Sequence, residues 1–115
     1  MLVKASFSIG SYRRKGGEKM KFVKFWEICP EDIDKGIPKF LKLLEEMKKV
    51  PNKYPKYLVP PHGIGEVFKG ISIMEADNED QLINYILAVT PEFKIKFVPL
   101  IESSKAIETF IKTKA

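Results

Sequence analysis

The sequence predicts an α+β fold in which a four-stranded antiparallel sheet carries two helices on one face. Short runs rich in β-branched and aromatic residues alternate with longer segments whose apolar residues recur at helical spacing. These segments follow the order strand, helix, strand, strand, helix, strand, which corresponds to two βαβ units. With 115 residues, the chain is long enough for one hydrophobic core and too short for two.

The domain begins with a strand and a helix. Residues 21–28 read KFVKFWEI, a run too short for a helix, with apolar side chains on both faces. Pro30-Glu31-Asp32 is typical of a first helical turn, because proline needs no amide partner there and acids favour the positive end of the helix dipole. We expect Pro38 to kink this helix or to delay its regular start, and Val50-Pro51-Asn52 to end it. Its predicted buried stripe is Ile33, Ile37, Leu41, Leu44 and Met47.

An irregular stretch separates the two halves of the domain. Residues 53–66 contain three prolines and two glycines, so we expect a short strand at 57–59 followed by a loop or an edge segment. A clearer strand is predicted at 68–76. Asp77 or Asn78 then caps a second helix, and Gln81 completes a pattern that resembles a capping box. The apolar face of this helix is Leu82, Tyr85, Ile86 and Val89.

A last strand and a terminal helix complete the predicted elements. Thr90-Pro91 closes the second helix, and residues 94–101 form a strand in which Ile95, Phe97 and Ile101 share one side. Ser103 or Ser104 caps the short terminal helix, which carries Ile107, Phe110 and Ile111.

Right-handed crossovers in both units give a ferredoxin-like βαββαβ sheet with both helices on one face. The opposite face carries large apolar side chains in either register of the first strand: Phe22, Trp26 and Ile28 with Lys24, or Val23 and Phe25. A monomer rarely exposes so much apolar surface. We therefore predict a homodimer in which two open sheet faces pack together.

The formal net charge of +5 is concentrated at the N-terminus. Residues 1–19 hold five basic residues and one acid, a local +4, which leaves +1 for residues 20–115, where arginine is absent. Arginine is the preferred side chain for phosphates and guanine edges, and the strand that begins Lys69-Gly70 lacks the stacking aromatics of an RNA-recognition motif. We expect no nucleic-acid partner.

We assign residues 20–115 to one ferredoxin-like domain and residues 1–19 to a leader. Two origins of the leader are considered. Gly16-Gly17-Glu18 has codons that can spell a ribosome-binding site just before Met20, so the leader is either a mis-assigned start or a flexible basic arm. Within the leader, residues 2–9 contain a possible short strand.

Several classes of protein are excluded or disfavoured. No apolar stretch is long enough to cross a membrane, and the leader lacks the apolar core of a signal peptide, so we expect a cytoplasmic protein with no membrane partner. Cys29 and His62 are the only cysteine and the only histidine, which excludes a disulfide framework and the usual structural zinc sites. We predict no metal and no cofactor. Abundant Lys, Glu and Ile with a single Gln is typical of thermophilic proteins.

Three segments resemble a known family. They are MKFVKFWEICPEDIDKGIPKFL at 20–41, GISIMEADNEDQLINYIL at 70–87 and FKIKFVPLIESSKAIETF at 93–110. These segments are similar to a family of small proteins of unknown function in the dimeric α/β-barrel superfamily. The resemblance lies in the pattern, and its most specific parts are Glu75 before Ala76-Asp77 and the VPLIE run at 98–102. Residues 51–65 depart from the family pattern.

The resemblance implies that two ferredoxin-like sheets pack face to face and close into a barrel, often around a small apolar cavity. Members of the superfamily include antibiotic-biosynthesis-type monooxygenases, muconolactone isomerases, haem-degrading enzymes and ligand-sensing domains. The fold therefore implies no single chemistry.

His62 and Glu75 are the candidate catalytic residues. His62 is the only imidazole and is flanked by Pro61 and Gly63, so it is the natural choice for a general base or a single axial haem ligand; the alternative is an exposed loop histidine. Glu75 ends an apolar strand and is the candidate partner of His62. Its alternative role is a solvated acid or a cap of the following helix.

The candidate ligand-binding residues are one lysine and several aromatic residues. Lys24 lies on a strand face predicted to be covered, where it needs a carboxylate partner or a route to water. It binds an acidic ligand in the cavity, or else its chain extends to water at the sheet edge. The candidate cavity-lining aromatics, which are alternatively core or dimer interface, are Trp26, Phe22, Tyr57 and Phe68.

The first functional hypothesis is a homodimeric small-molecule-binding domain, sensory or accessory, that takes a small hydrophobic ligand. The second is a cofactor-independent monooxygenase or isomerase acting on a small hydrophobic or phenolic compound, with His62 and Glu75 in catalysis. The third is a structural dimer that docks another protein. The existence of a cavity, and the convergence of polar groups in it, distinguishes these hypotheses.

Overall fold

A computed structural model describes the backbone of residues 7–9 and all of residues 19–114. Within these residues there are five strands and three α-helices, with short 3-10 turns at Pro30–Asp32 and Pro51–Lys53. In chain order the elements are β1 Phe7–Ile9, β2 Met20–Ile28, α1 Ile33–Lys49, β3 Lys56–Gly63, β4 Lys69–Ala76, α2 Glu79–Val89, β5 Phe93–Pro99 and α3 Ser103–Lys114.

The strands form one sheet in the order β1-β5-β2-β4-β3. β2 pairs antiparallel with both β4 and β5, and β3 pairs antiparallel with β4. This four-stranded antiparallel sheet with its helices is α+β and is consistent with the predicted ferredoxin-like fold. β1 adds a fifth strand, parallel to β5. Residues 1–6 and 10–18 of the leader lie outside the described residues, and so does Ala115.

Both α1 and α2 pack on the same face of the sheet. Alternation along β2 buries Phe22 and Ile28 on that face, and Phe22 meets the ring of Phe97 edge-on at 5.8 Å between centroids. Leu43 of α1 and Ile86 of α2 belong to the same buried cluster. The open face therefore carries Val23 and Phe25, the second of the two registers considered above.

The face of α1 that meets the sheet differs from the predicted stripe. Gly36 and Leu43 are buried, whereas Ile37 and Leu41 are exposed. The reason is the close approach at Gly36, where an added Cβ would lie 2.5 Å from Cδ1 of Ile28. A glycine on the contact face brings the helix axis near the sheet, a feature that a search for large apolar residues overlooks. Pro38 lies within the helix, after the 3-10 turn.

The start of α2 is close to the prediction. The side chain of Asn78 accepts a hydrogen bond from the Gln81 amide at 3.0 Å, as a capping residue should. Oε1 of Gln81 accepts from the Asp77 amide at 2.7 Å, one residue earlier than in a standard capping box. The predicted apolar face of the helix is buried. α2 is therefore firmly fixed over the middle of the sheet.

The C-terminal segment is less buried than predicted. β5 ends at Pro99, and Ile101, expected beside Ile95 and Phe97, is 69% exposed. Every described side chain of α3 is exposed, including its apolar residues Ile107, Phe110 and Ile111. Among the helices that the structure describes, none combines the length and the apolar character needed to cross a bilayer.

Candidate functional site

An apolar cavity of about 260 Å³ lies between α1, α2 and the sheet. Its two exposed lining residues, Ile37 of α1 (39%) and Val67 of the β3–β4 connection (75%), indicate that its mouth lies between these elements. Its walls are almost entirely hydrocarbon and aromatic, with the side chain of one lysine and the hydroxyl of one tyrosine as exceptions. The lining residues are Lys24, Trp26, Ile28, Ile33, Ile37, Phe40, Pro61, Val67, Phe68, Tyr85, Val89, Phe93 and Ile95.

Lys24 is the unusual residue of this cavity. The alternation of β2 places it on the helix-covered face, opposite Ser72 of β4 and Phe97 of β5, and only 2% of it is exposed. Among the described residues it forms no ion pair with a carboxylate. Within the described part of the chain, Lys24 has no carboxylate partner, and its side chain does not extend to water at the sheet edge, because Lys24 lies in a central strand beneath α2.

Tyr85 and Tyr57 are the partners of Lys24. Nζ of Lys24 forms a short hydrogen bond with the Tyr85 hydroxyl and lies 4.3 Å from the centroid of that ring. The Tyr85 and Tyr57 hydroxyls are 2.5 Å apart. The three groups therefore form a continuous hydrogen-bonded chain from the cavity wall to Tyr57.

Burial sets the proton affinities in this chain. It lowers the pKa of Lys24 from its ordinary 10.5 to about 7, since the desolvated ammonium has no counter-charge. It also raises the pKa of Tyr57 to about 12 and raises the pKa of Tyr85 well above its ordinary value. At neutral pH, the neutral amine of Lys24 is therefore a major species, and both phenols keep their protons.

Two further polar groups near this lysine are unsatisfied. Nε1 of Trp26 and Oγ of Ser72 are buried and have no hydrogen-bond partner among the described residues. Trp26 follows Lys24 by two residues on the same face of β2, so both contribute to one wall of the cavity. A buried donor without a partner destabilises the protein by about 1–3 kcal/mol.

The predicted ligand-binding residues separate into three groups. Lys24, Trp26 and Phe68 line the cavity. Tyr57 reaches it through Tyr85 and also lines a second, more polar cavity of about 390 Å³. Phe22 packs against Phe97 within the core. The cavity lies on the helix side of the sheet, whereas the resemblance implied one between two sheets.

The structure does not bring His62 and Glu75 together. His62 is exposed on β3 opposite Ile71, and its Nδ1 donates to the Pro60 carbonyl at 2.6 Å. Glu75 lies opposite Lys56, four positions along β4 from Ile71, which corresponds to about 13 Å. Glu75 also forms an ion pair of 3.7 Å with Lys19. Neither residue lines the apolar cavity.

Tyr85 is the site residue that the sequence argument missed. Its helical spacing assigned it to the core, and it is indeed buried. The available signal was the hydroxyl: a buried tyrosine usually needs a hydrogen-bond partner, and Lys24 needed one as well. Because the chain has four tyrosines, this signal does not by itself select Tyr85 as the partner.

The comparisons leave function to be argued from this geometry. No family model, curated protein or solved structure matches the chain. The described residues contain no group of three or more His, Cys, Asp or Glu side chains that could hold a metal ion. What the site offers chemically is an apolar cavity lined by one lysine and one tyrosine whose amine and hydroxyl are hydrogen-bonded to each other.

Proposed function

We propose that this domain is a homodimer that binds a small, mainly apolar molecule carrying one oxygen acceptor. The observation that carries the ligand proposal is the apolar cavity with Lys24 and Trp26 on one wall. A sensory or accessory role is consistent with a cavity that has so few polar groups in its lining.

The size and lining of the cavity favour an organic ligand over water. A volume of about 260 Å³ equals that of about nine liquid waters, and few polar groups are available to hold so many. An apolar body of about ten heavy atoms fills the same space and gains the free energy of leaving water. The amine of Lys24 then orients the oxygen of the ligand.

The ligand site predicts an effect of substitutions at the cavity mouth. Trp26 is the only tryptophan of the chain, so its fluorescence reports occupancy directly. We expect cyclohexylmethanol to change that emission saturably. Ile37→Phe, which narrows the mouth, should weaken this binding at least tenfold. Leu41→Phe is the matched control, because Leu41 lies one turn further along α1, is 56% exposed and does not line the cavity.

Native mass spectrometry of protein purified gently from its natural host provides the companion measurement. A reproducible extra mass identifies the ligand class. Emission that does not saturate, or Ile37→Phe and Leu41→Phe weakening binding equally, contradicts the cavity as the site.

The dimer proposal is supported by the open face of the sheet. Cross-strand pairing aligns Val98, Val23, Ile73 and Val59 in one apolar row across four strands. Phe25, next to this row, is 45% exposed. At about 4.8 Å between neighbouring strands, this row spans about 14 Å from the first strand to the fourth, and two copies can pack such faces sheet on sheet. Face-to-face pairing gives the dimeric α/β barrel that the sequence resembles.

The terminal helix supports the same association. An isolated helix of 12 residues, the length of α3, is marginal in water without tertiary packing. Its residues Ile107, Phe110 and Ile111 lie on one side at helical spacing and are about 60% exposed. A second copy covers this stripe together with the sheet.

The dimer proposal predicts the effect of a charge on the open face. We expect the parent to be dimeric by light scattering and by native mass spectrometry, and Phe25→Glu to be monomeric, since the carboxylate would be buried against apolar side chains. Leu87→Glu, at a 59% exposed position of α2, should remain dimeric. A monomeric parent, or dissociation of both variants alike, argues against pairing through this face.

A further inference from the structure

We infer that Lys24 forms an imine with a small apolar aldehyde or ketone held in the cavity, an inference that rests on the proposed ligand binding. The geometry behind it is a lysine that lines an apolar cavity, its amine in contact with a phenol and without a carboxylate partner among the described residues.

A carbonyl compound suits this cavity better than a carboxylate does. A carboxylate would have to lose its hydration inside almost purely apolar walls, and one lysine compensates poorly for the burial of two charges. A neutral aldehyde or ketone enters without that penalty. Desolvation keeps the Lys24 amine in its nucleophilic form for a large fraction of the time.

The reaction balances with groups already present. The lone pair of the amine nitrogen attacks the carbonyl carbon, and the carbonyl π electrons move to oxygen, which gives a carbinolamine after one proton passes from nitrogen to oxygen. Loss of the second nitrogen proton and of the hydroxyl group releases water and leaves a C=N bond. Tyr85, hydrogen-bonded to Nζ, is placed to hand these protons between nitrogen and oxygen.

Tyr57 connects this hydrogen-bonded chain to solvent. Its hydroxyl lies 2.5 Å from that of Tyr85, and Tyr57 lines the second cavity together with Glu75 and Lys19. Lys19 is exposed, so this second cavity reaches solvent. Protons can therefore leave the Lys24 amine along the two hydroxyls without crossing the apolar cavity.

Reductive trapping of the imine tests this inference. The full-length protein is incubated at pH 7 with cyclohexanecarbaldehyde and cyanoborohydride, which reduces an imine to a stable secondary amine, and the modified residues are mapped by peptide mass spectrometry. Ordinary lysines are only about 0.04% neutral at pH 7, and the N-terminal amine, with an ordinary pKa near 8, serves as an internal reference. We expect Lys24 to be modified at least tenfold faster than the N-terminal amine.

Competition and variants make the assignment specific. Cyclohexylmethanol, which cannot form an imine, should slow the modification of Lys24 and leave that of the N-terminal amine unchanged. Lys24→Met should remove this modification, whereas Lys94→Met, at an exposed position of β5, should not. Tyr85→Phe should slow trapping at Lys24 by a larger factor than it weakens the binding of cyclohexylmethanol, measured on the same variant, which separates proton transfer from binding.

Different results would contradict imine formation at Lys24 and ligand binding in the cavity. Saturable binding of cyclohexylmethanol with no adduct at Lys24 overturns the imine and leaves the ligand site intact. The absence of both binding and adduct overturns both. Adducts spread over surface lysines, at rates that cyclohexylmethanol does not change, also overturn the imine.

Discussion

Lys24→Met is expected to raise the free energy of unfolding at pH 7 by about 3 kcal/mol. Burial lowers the pKa of this lysine from 10.5 to about 7, and a difference of that size corresponds to about 5 kcal/mol between the ionised and the neutral amine. The lost hydrogen bond to Tyr85 offsets about 1 kcal/mol. Methionine has nearly the same length, so it fills the position without a void.

The pH dependence of the parent identifies the cause. Between about pH 7 and pH 10 the unfolded chain holds a proton on Lys24 that the folded chain lacks, so the stability of the parent rises with pH over that interval. Above pH 10 the stability of the parent falls with rising pH. Folding raises the pKa values of Tyr57 and Tyr85, so these tyrosines lose their protons first in the unfolded chain. The Lys24→Met variant should lack the rise.

Urea denaturation between pH 6 and pH 10 measures both the stabilisation by Lys24→Met and the rise of the parent's stability with pH. Lys94→Met is the matched control, since Lys94 is exposed on β5, and its stability should follow that of the parent at every pH. A Lys24→Met variant that is less stable than the parent throughout, with the rise still present, would mean that the buried amine is not the titrating group.

Gly70→Ala is expected to destabilise the fold by about 3 kcal/mol or more. An added Cβ would overlap the backbone oxygen of His62 and lie 2.8 Å from the Cα of Gly63, so β3 would have to separate from β4. A backbone cannot move aside as a flexible side chain can. The shift would also displace Pro61 and Phe68 from the cavity wall, so binding of cyclohexylmethanol should weaken as well.

Ser72→Ala is the control on the same strand. Oγ of Ser72 is buried without a partner among the described residues, so its removal should leave stability unchanged or raise it by about 1 kcal/mol. Urea midpoints of the two variants measure the contrast. Equal stability of Gly70→Ala and the parent would show that β3 can yield at this point.

The sequence predicted most of the elements because their signals are local. Residues 21–28 and 68–76 are dense in β-branched and aromatic residues, and the Asn78 cap with the apolar face of α2 is decided by neighbours three and four positions away. Lys24 was also recognised as anomalous from its apolar neighbours alone. These features depend on spacing along the chain, which a sequence displays directly.

What the sequence could not predict depends on contacts between distant segments. The orientation of α1 depends on the contact of Gly36 with Ile28 and Phe93. The helical periodicity of apolar residues does not identify a glycine as a contact residue. The contact of Lys24 with Tyr85 spans 61 residues. The face of the sheet on which the cavity lies depends on both of these contacts, so the sequence could not predict it either.

The two ends of the strand order have a consequence for how copies of this chain can meet. On one side, β1 covers the backbone of β5 and is itself only three residues long. On the other side, β3 carries Pro60 and Pro61 and two irregularities in its register. Proline offers no N–H for a further strand to pair with, and such irregularities twist a strand away from a flat template. Neither edge therefore favours continuous backbone pairing with a strand of another copy, which protects the folded domain from fibre-like growth. Copies of the chain then associate through the side chains on the faces of the domain.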